Sequence, residues 1–282
     1  MKLLRYGPKG QEKPGLLDGE GRIRSLADHV SDLDGATLAA GLTKLSMIDP
    51  TTLPVVEDAG VRLAEPVARV GKFICIGLNY SDHAAEAGMP IPAEPIIFMK
   101  ATSAIIGPND DVLLPPTSAK SDWEVELGVV IGKTARYVTL EKAMEHVAGF
   151  CVVNDLSERE YQLERSGQWD KGKGCDTFGP FGPYLVTPDE VDVSDLDLWL
   201  DVNGQRMQTG NTSKLIFDVP YIVHYVSRFM SLQPGDIIST GTPPGVGMGM
   251  TPPVWLKEGD IITLGIEGLG EQRQQVRRDT VA

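Results

Sequence analysis

The stretch DWEVELGVVIG, residues 122–132, sets a strand pattern and a problem together. Trp123, Val125 and Leu127 alternate with Asp122, Glu124 and Glu126, ahead of the apolar run Val129–Ile131. Successive residues of a strand face opposite sides of the sheet. The pattern therefore predicts a buried strand that turns both glutamates, and Asp122 with them, toward one face. Like charges two residues apart on such a strand need a physical reason.

Outward from this strand, short β-rich runs recur from FICIGLNY (73–80) onward, split by Gly/Pro turns. They fall at 96–99, 122–131, 149–153, 183–187, 196–202, 235–240 and 261–267. Helical patterns are few, at 81–88, 139–146, 156–166 and 218–231. The chain of 282 residues holds 31 glycines and 20 prolines, enough to supply the turns. Strands and helices do not alternate regularly, which excludes a doubly wound α/β fold, and the strands exclude a helical bundle. The expectation is a mixed, β-rich α+β unit over residues 71–282, a roll or sandwich with a few covering helices. Residues 1–70 read as a small N-terminal domain with a linker. LLDGEGRIRSL (16–26) predicts a hairpin turning near Asp18-Gly19, and DGATLAAGLTKL (34–45) a short helix.

Composition narrows the function. With 39 acidic against 26 basic residues, the formal charge is −13, which argues against nucleic acid and anionic membranes as partners. No apolar run reaches membrane-spanning or signal-peptide length. The three cysteines have no CxxC spacing. Cys75 and Cys151 lie in apolar strands and read as reduced, buried thiols, so a cytoplasmic location is expected. Cys175 lies in a loop, where a thiol can be reactive.

The chemistry-bearing residues fall in four stretches. GFCVVNDLSERE (149–160) is an apolar strand ending at Asp155, so Asp155 could join Glu124 and Glu126 at one point. Buried unpaired carboxylates cost several kcal/mol each or take up protons. A divalent cation removes both problems, and all-oxygen ligands favour Mg²⁺, Mn²⁺ or Ca²⁺ over zinc. Alone, a Glu-x-Glu pair more often faces solvent. In GLNYSDHAAEAGMP (77–90), His83 and Glu86 share a helix face at i and i+3. A carboxylate beside an imidazole suits a general base, and it equally suits a surface ion pair. KGKGCDTFGPFGP (171–183) offers two lysines to an anionic ligand. STGTPPGVGMGM (239–250) lacks the ending of a phosphate-binding P-loop, and Thr242 is its residue best suited to touch a ligand.

Taken in order, GLNYSDHAAE, FMKATSAIIGP, DWEVELGVVIGK, NDLSEREYQ, KGKGCDTFGPFGP, NGQRMQTGNTSKLIF and PGDIISTGTPPGVG resemble the fumarylacetoacetate hydrolase family. The resemblance runs from about residue 70 to the C-terminus. It implies the family's β-roll, assembled as a homodimer, and a site of the shorter type with three protein ligands, Glu124, Glu126 and Asp155, for Mg²⁺ or Mn²⁺. It implies His83 and Glu86 as a catalytic dyad on a lid helix, and Lys173 as the lysine facing the substrate. Arg159 and Gln162 match substrate-contacting positions, and Lys100 and Thr242 are implied as further contacts. The implied substrate is a small 2,4-diketo acid cleaved between C3 and C4 to give pyruvate. Within the family, GQWDKGKGCDTFGPFGPYLV and FMKATSAIIGPND are similar to the type that converts 2,4-diketo-3-deoxy-L-fuconate to pyruvate and L-lactate. Fumarylpyruvate hydrolysis and oxaloacetate decarboxylation are the competing expectations.

Overall fold

The computed structural model describes residues 1–57, 60–86 and 88–280. The Val125–Ile131 strand forms, and it lies inside an eleven-stranded mixed sheet. It pairs antiparallel with Val147–Asn154 on one side and with Ile237–Ser239 on the other. Ile237–Ser239 pairs in parallel with Phe73–Gly77, which in turn pairs with Ile96–Lys100. A second, five-stranded sheet carries Gln205–Asn211, Asp197–Val202, Ile261–Ile266, Gly270–Arg278 and Val112–Leu114. The fold is thus mixed and sheet-rich, as the sequence predicts.

The period of two along the central strand divides the core. Trp123, Val125, Leu127, Val129 and Ile131 join Leu198, Leu200, Ile262 and Leu264 of the second sheet in one hydrophobic cluster. Val130 falls in a second cluster with Phe73, Cys75, Cys151 and Val153. Glu124 and Glu126 lie on the side of the strand facing away from Trp123, Val125 and Leu127, where this second cluster lies.

The N-terminal segment contributes to that second cluster. Leu3, Leu16, Leu26, Leu33, Leu38 and Leu53 belong to the second cluster. The segment is joined to the rest by hydrogen bonding as well: Lys2–Tyr6 pairs with Gly179–Val186 through Lys2↔Val186 and Leu3↔Leu185. The hairpin forms with Leu16 opposite Arg24 and Leu17 opposite Ile23. Asp18 closes its turn by accepting from the backbone N–H of Glu20 and Arg22, both at 2.9 Å.

Several helices differ from expectation for local reasons. The 34–45 helix divides into Gly35–Ala39 and Thr43–Ser46, because Gly41 takes a left-handed conformation at φ +84°. The 139–146 segment forms a 3₁₀ helix over Leu140–His146. The 218–231 helix is capped by Asp218, which accepts from Tyr221 N–H at 2.9 Å, and it ends at Val226. The helix expected at 81–88 spans Ser81–Glu86, and Ala87 lies outside the described residues. The helix expected over 156–166 is corrected most. Ser157–Glu158 is extended and pairs with Ser121–Asp122, and a single π turn over Glu160–Glu164 follows. The buried Glu158 carboxylate draws the chain into this shape by accepting from Ser118, Ser121 and the Lys120 backbone. No helix among the described residues is long and apolar enough to cross a membrane.

Candidate active site

The carboxylates of Glu124, Glu126 and Asp155 meet at one point, all buried, with ligand oxygens within 4.8 Å of one another. Neighbouring strands bring them there. Asp155 follows the Val147–Asn154 strand, and its N–H donates to the Glu124 carbonyl at 2.9 Å. The strand ladder is irregular just here. Glu124 N–H donates to the Asn154 side chain at 3.2 Å, and Val125 N–H to the Gln208 side chain at 3.0 Å. Buried amides thus hold the backbone on either side of the ligand pair.

Asp122 does not turn toward this point with the glutamates. It sits on the separate Ser121–Asp122 strand and accepts four hydrogen bonds, from Arg159 Nε and from the N–H groups of Trp123, Gly247 and Met248. Arg159, fixed by Asp122, also donates to Glu124 Oε1 at 2.6 Å and to Gln162 Oε1 at 3.0 Å. Lys173 Nζ lies 2.6 Å from Glu124 Oε2 and 2.8 Å from Asp155 Oδ2. Lys100 Nζ lies 2.5 Å from Asp155 Oδ1 and 2.9 Å from the Leu156 carbonyl.

These contacts set four carboxylates against three cations, so one carboxylate has no cationic partner among the described residues. It is Glu126. Glu126 Oε2 accepts from Ser239 Oγ at 2.5 Å and Gly241 N–H at 2.8 Å. Its other oxygen makes no hydrogen bond among the described residues. Burial opposes the charge on Glu124, but Lys173 and Arg159 outweigh it and hold that carboxyl at about 2. Burial, and then Asp155 and Glu124, push Glu126 well above the carboxylate range. An all-oxygen cluster in which one carboxylate lacks a cationic partner and holds a proton in its place fits a hard divalent cation such as Mg²⁺ or Mn²⁺. Glu124, Glu126 and Asp155 would hold it.

A cavity of about 460 Å³ opens over the cluster, and Glu124, Glu126, Arg159, Gln162 and Lys173 line its polar end. His83 and Glu86 line the same cavity from the Ser81–Glu86 helix. His83 Nδ1 lies 3.0 Å from Glu86 Oε2, and Glu86 Oε1 accepts from Gly245 N–H at 3.2 Å. Nδ1 is thus engaged, which leaves Nε2 as the nitrogen available for proton transfer.

Two expected contacts sit differently. Lys100 has a fully buried side chain and packs behind Asp155. Thr242 lines the cavity, but its hydroxyl faces the scaffold, donating to the Val125 carbonyl and accepting from Gln208 Nε2. Sequence reading missed Asp122 as the anchor of Arg159, and Gln208 and Asn154 as clamps on the Glu-x-Glu backbone. No local pattern marks them, because their partners lie far away in the chain.

The Asp170–Lys173 helical turn explains its own glycine. Gly172 packs so closely that a Cβ there would lie 2.3 Å from the Glu158 carbonyl and 2.6 Å from Gln162 N. Gly172→Ala is expected to cost about 1–3 kcal/mol of stability through overpacking. It should also displace Lys173, so turnover should fall by more than the loss of folded protein accounts for. Melting temperature and kcat measured on the same preparation test this. Cys175 sits beside this turn, and burial pushes its thiol up to about 11. Alkylation by iodoacetamide at neutral pH is expected to be about a hundredfold slower than for a free thiol, and mass spectrometry reads it directly.

The sequence and the fold match known proteins. The family model for the fumarylacetoacetate hydrolase C-terminal region matches residues 72–277. A Burkholderia ambifaria relative, named no more specifically than as a hydrolase, is 63% identical over 98% of this chain and 99% of its own. The fumarylacetoacetate hydrolase of Exiguobacterium antarcticum is 36% identical, over 99% of this chain and 100% of its own, with a TM-score of 0.88. Maleylpyruvate hydrolase from a Sphingobium species, solved with manganese(II) and pyruvate, is 31% identical over 99% and 100%, with a TM-score of 0.82. A 2-hydroxyhepta-2,4-diene-1,7-dioate isomerase from Mycobacterium marinum is 33% identical over 100% of both chains, with a TM-score of 0.78. The chain belongs to the fumarylacetoacetate hydrolase family.

Proposed function

We propose that this protein is a divalent-metal-dependent hydrolase that cleaves the C3–C4 bond of a 2,4-diketo acid and releases pyruvate. The observation that carries the reading is one cavity lined at once by a buried carboxylate cluster and by an imidazole–carboxylate pair. Mg²⁺ or Mn²⁺, when bound, supplies positive charge to hold the 2-keto acid end and to offset charge developing on it.

His83 Nε2 takes a proton from water while Glu86 fixes the ring and favours the imidazolium that forms. The hydroxide attacks C4, the C3–C4 bond breaks, and its electron pair becomes the enolate of pyruvate. Lys173 and Arg159 stabilise that enolate electrostatically, already fixed by Glu124, Asp155 and Asp122. Burial opposes the ammonium form of Lys173, but Asp155 and Glu124 raise its pKa, so it stays charged at neutral pH. Gln162 turns its carbonyl oxygen to Arg159, which leaves its amide hydrogens for a substrate oxygen.

The substrate proposed is 2,4-diketo-3-deoxy-L-fuconate, giving pyruvate and L-lactate, and the assembly proposed is a homodimer. Pyruvate release by metal-stripped protein tests the reading, with and without added Mg²⁺ or Mn²⁺, on this acid, fumarylpyruvate and oxaloacetate. Metal-dependent cleavage of a diketo acid well above oxaloacetate turnover is expected. Turnover of oxaloacetate alone would make the protein a decarboxylase.

A further inference from the structure

The cavity has a second character away from its carboxylates. Trp169 presses on the end of the Phe73–Gly77 strand so closely that a Cβ at Gly77 would lie 2.8 Å from its ring. Phe98 packs edge-on against Trp169 with ring centroids 5.3 Å apart, and its face lies 5.0 Å from Lys173 Nζ. Ile96 continues this wall, and Leu163 and Met248 line the cavity with it. An apolar surface therefore starts at the lysine proposed to face the pyruvate end and leads away from it.

Among the described residues, the arginine and the lysine that line the cavity are both already paired: Arg159 is held by Asp122 and Glu124, and Lys173 by Glu124 and Asp155. The His83 ring is engaged by Glu86. A carboxylate at the far end of a substrate would give up its water without gaining a cation. It would also meet the field of Glu86, which lines the same cavity.

We propose that the wall of Ile96, Phe98 and Trp169 seats the acyl end of the substrate and selects an uncharged acyl group against one bearing a second carboxylate. This rests on the reading of the site as one for 2-keto acids, and it separates the diketo sugar acid from the dicarboxylate fumarylpyruvate. It also sets this chain apart from relatives whose names specify a dioate.

Binding tests it without turnover. Calorimetry on the Mn²⁺-loaded full chain would compare 2-oxohexanoate with 2-oxohexanedioate, which differ at the distal end alone. The monocarboxylate is expected to bind at least about tenfold tighter. Leu163→Arg, at a position 44% exposed and therefore tolerant of change, adds a cation at the wall. That variant should raise the affinity for 2-oxohexanedioate several-fold relative to that for 2-oxohexanoate. Equal or tighter binding of the dicarboxylate to the unaltered chain would overturn the proposal, and so would binding of neither acid. Pyruvate release from diketo acids is scored separately. Discrimination without any such cleavage sinks the hydrolase reading alone, and cleavage without discrimination sinks the acyl-selectivity reading alone.

Discussion

Glu126→Gln is expected to weaken Mn²⁺ binding by at least about a hundredfold and to take pyruvate release below detection, with the fold intact. Loss of a supporting residue around a metal site costs about 10–100-fold in affinity, and loss of a ligand should cost no less. The amide keeps the size of the carboxylate, and its oxygen can still accept from Ser239 and Gly241. Stability supplies a second readout. Burial, with Asp155 and Glu124, raises the Glu126 pKa above its ordinary value of 4.5. The metal-free native state then keeps a proton that the unfolded chain releases once pH passes that value. The stabilisation from Glu126 is therefore present at acid pH and lost as pH rises through the raised pKa. Manganese takes the place of that proton, so it should flatten the decline and release a proton on binding. Thermal melts over a pH series, with and without Mn²⁺, measure the first effect, and calorimetry in buffers of different ionisation enthalpy measures the second. Unchanged Mn²⁺ affinity in the variant would remove Glu126 from the ligand set.

His83→Ala is the other large effect. Hydrolysis of the diketo acid should fall by about 10²–10⁴-fold at saturating metal, the usual contribution of a positioned base. The melting temperature should hardly move, because among the described residues the imidazole makes one side-chain hydrogen bond, to Glu86, and sits partly exposed at the cavity. Oxaloacetate decarboxylation gives the same enolate without an attacking water, so any such activity should survive. Equal loss of both activities would show that His83 does something other than activate water.

The legible part of the site was local. Alternation puts Glu124 and Glu126 on one face of a strand, Asp155 falls at the end of another and His83 and Glu86 have helical spacing, but the family resemblance is what gives them as one site. What escaped depends on contacts between distant residues. Asp122 reads as a third member of the acidic face, yet the ladder breaks after it and its carboxylate faces Arg159 and residues 247–248. Thr242 reads as a ligand contact and lines the cavity, and Gln208, 34 residues away, holds its hydroxyl. The pattern at 156–166 reads as a helix, whereas the Glu158 carboxylate and pairing with Ser121–Asp122 set the backbone. The place of residues 1–70 was hidden for the same reason. Their leucines carry no signal of their own in the sequence, and partners such as Phe181 and Leu185 lie on a strand more than a hundred residues on.

The four hydrogen bonds accepted by Asp122 join two parts of the molecule that the chemistry uses separately. Through Arg159 this carboxylate reaches Glu124, and through Gly247 and Met248 it holds the loop whose Gly245 N–H secures Glu86. Free energy transmitted along such a frame is reciprocal. Whatever factor cation occupancy contributes to ordering the imidazole–carboxylate pair must reappear, unchanged, as the factor by which ordering that pair tightens the cation.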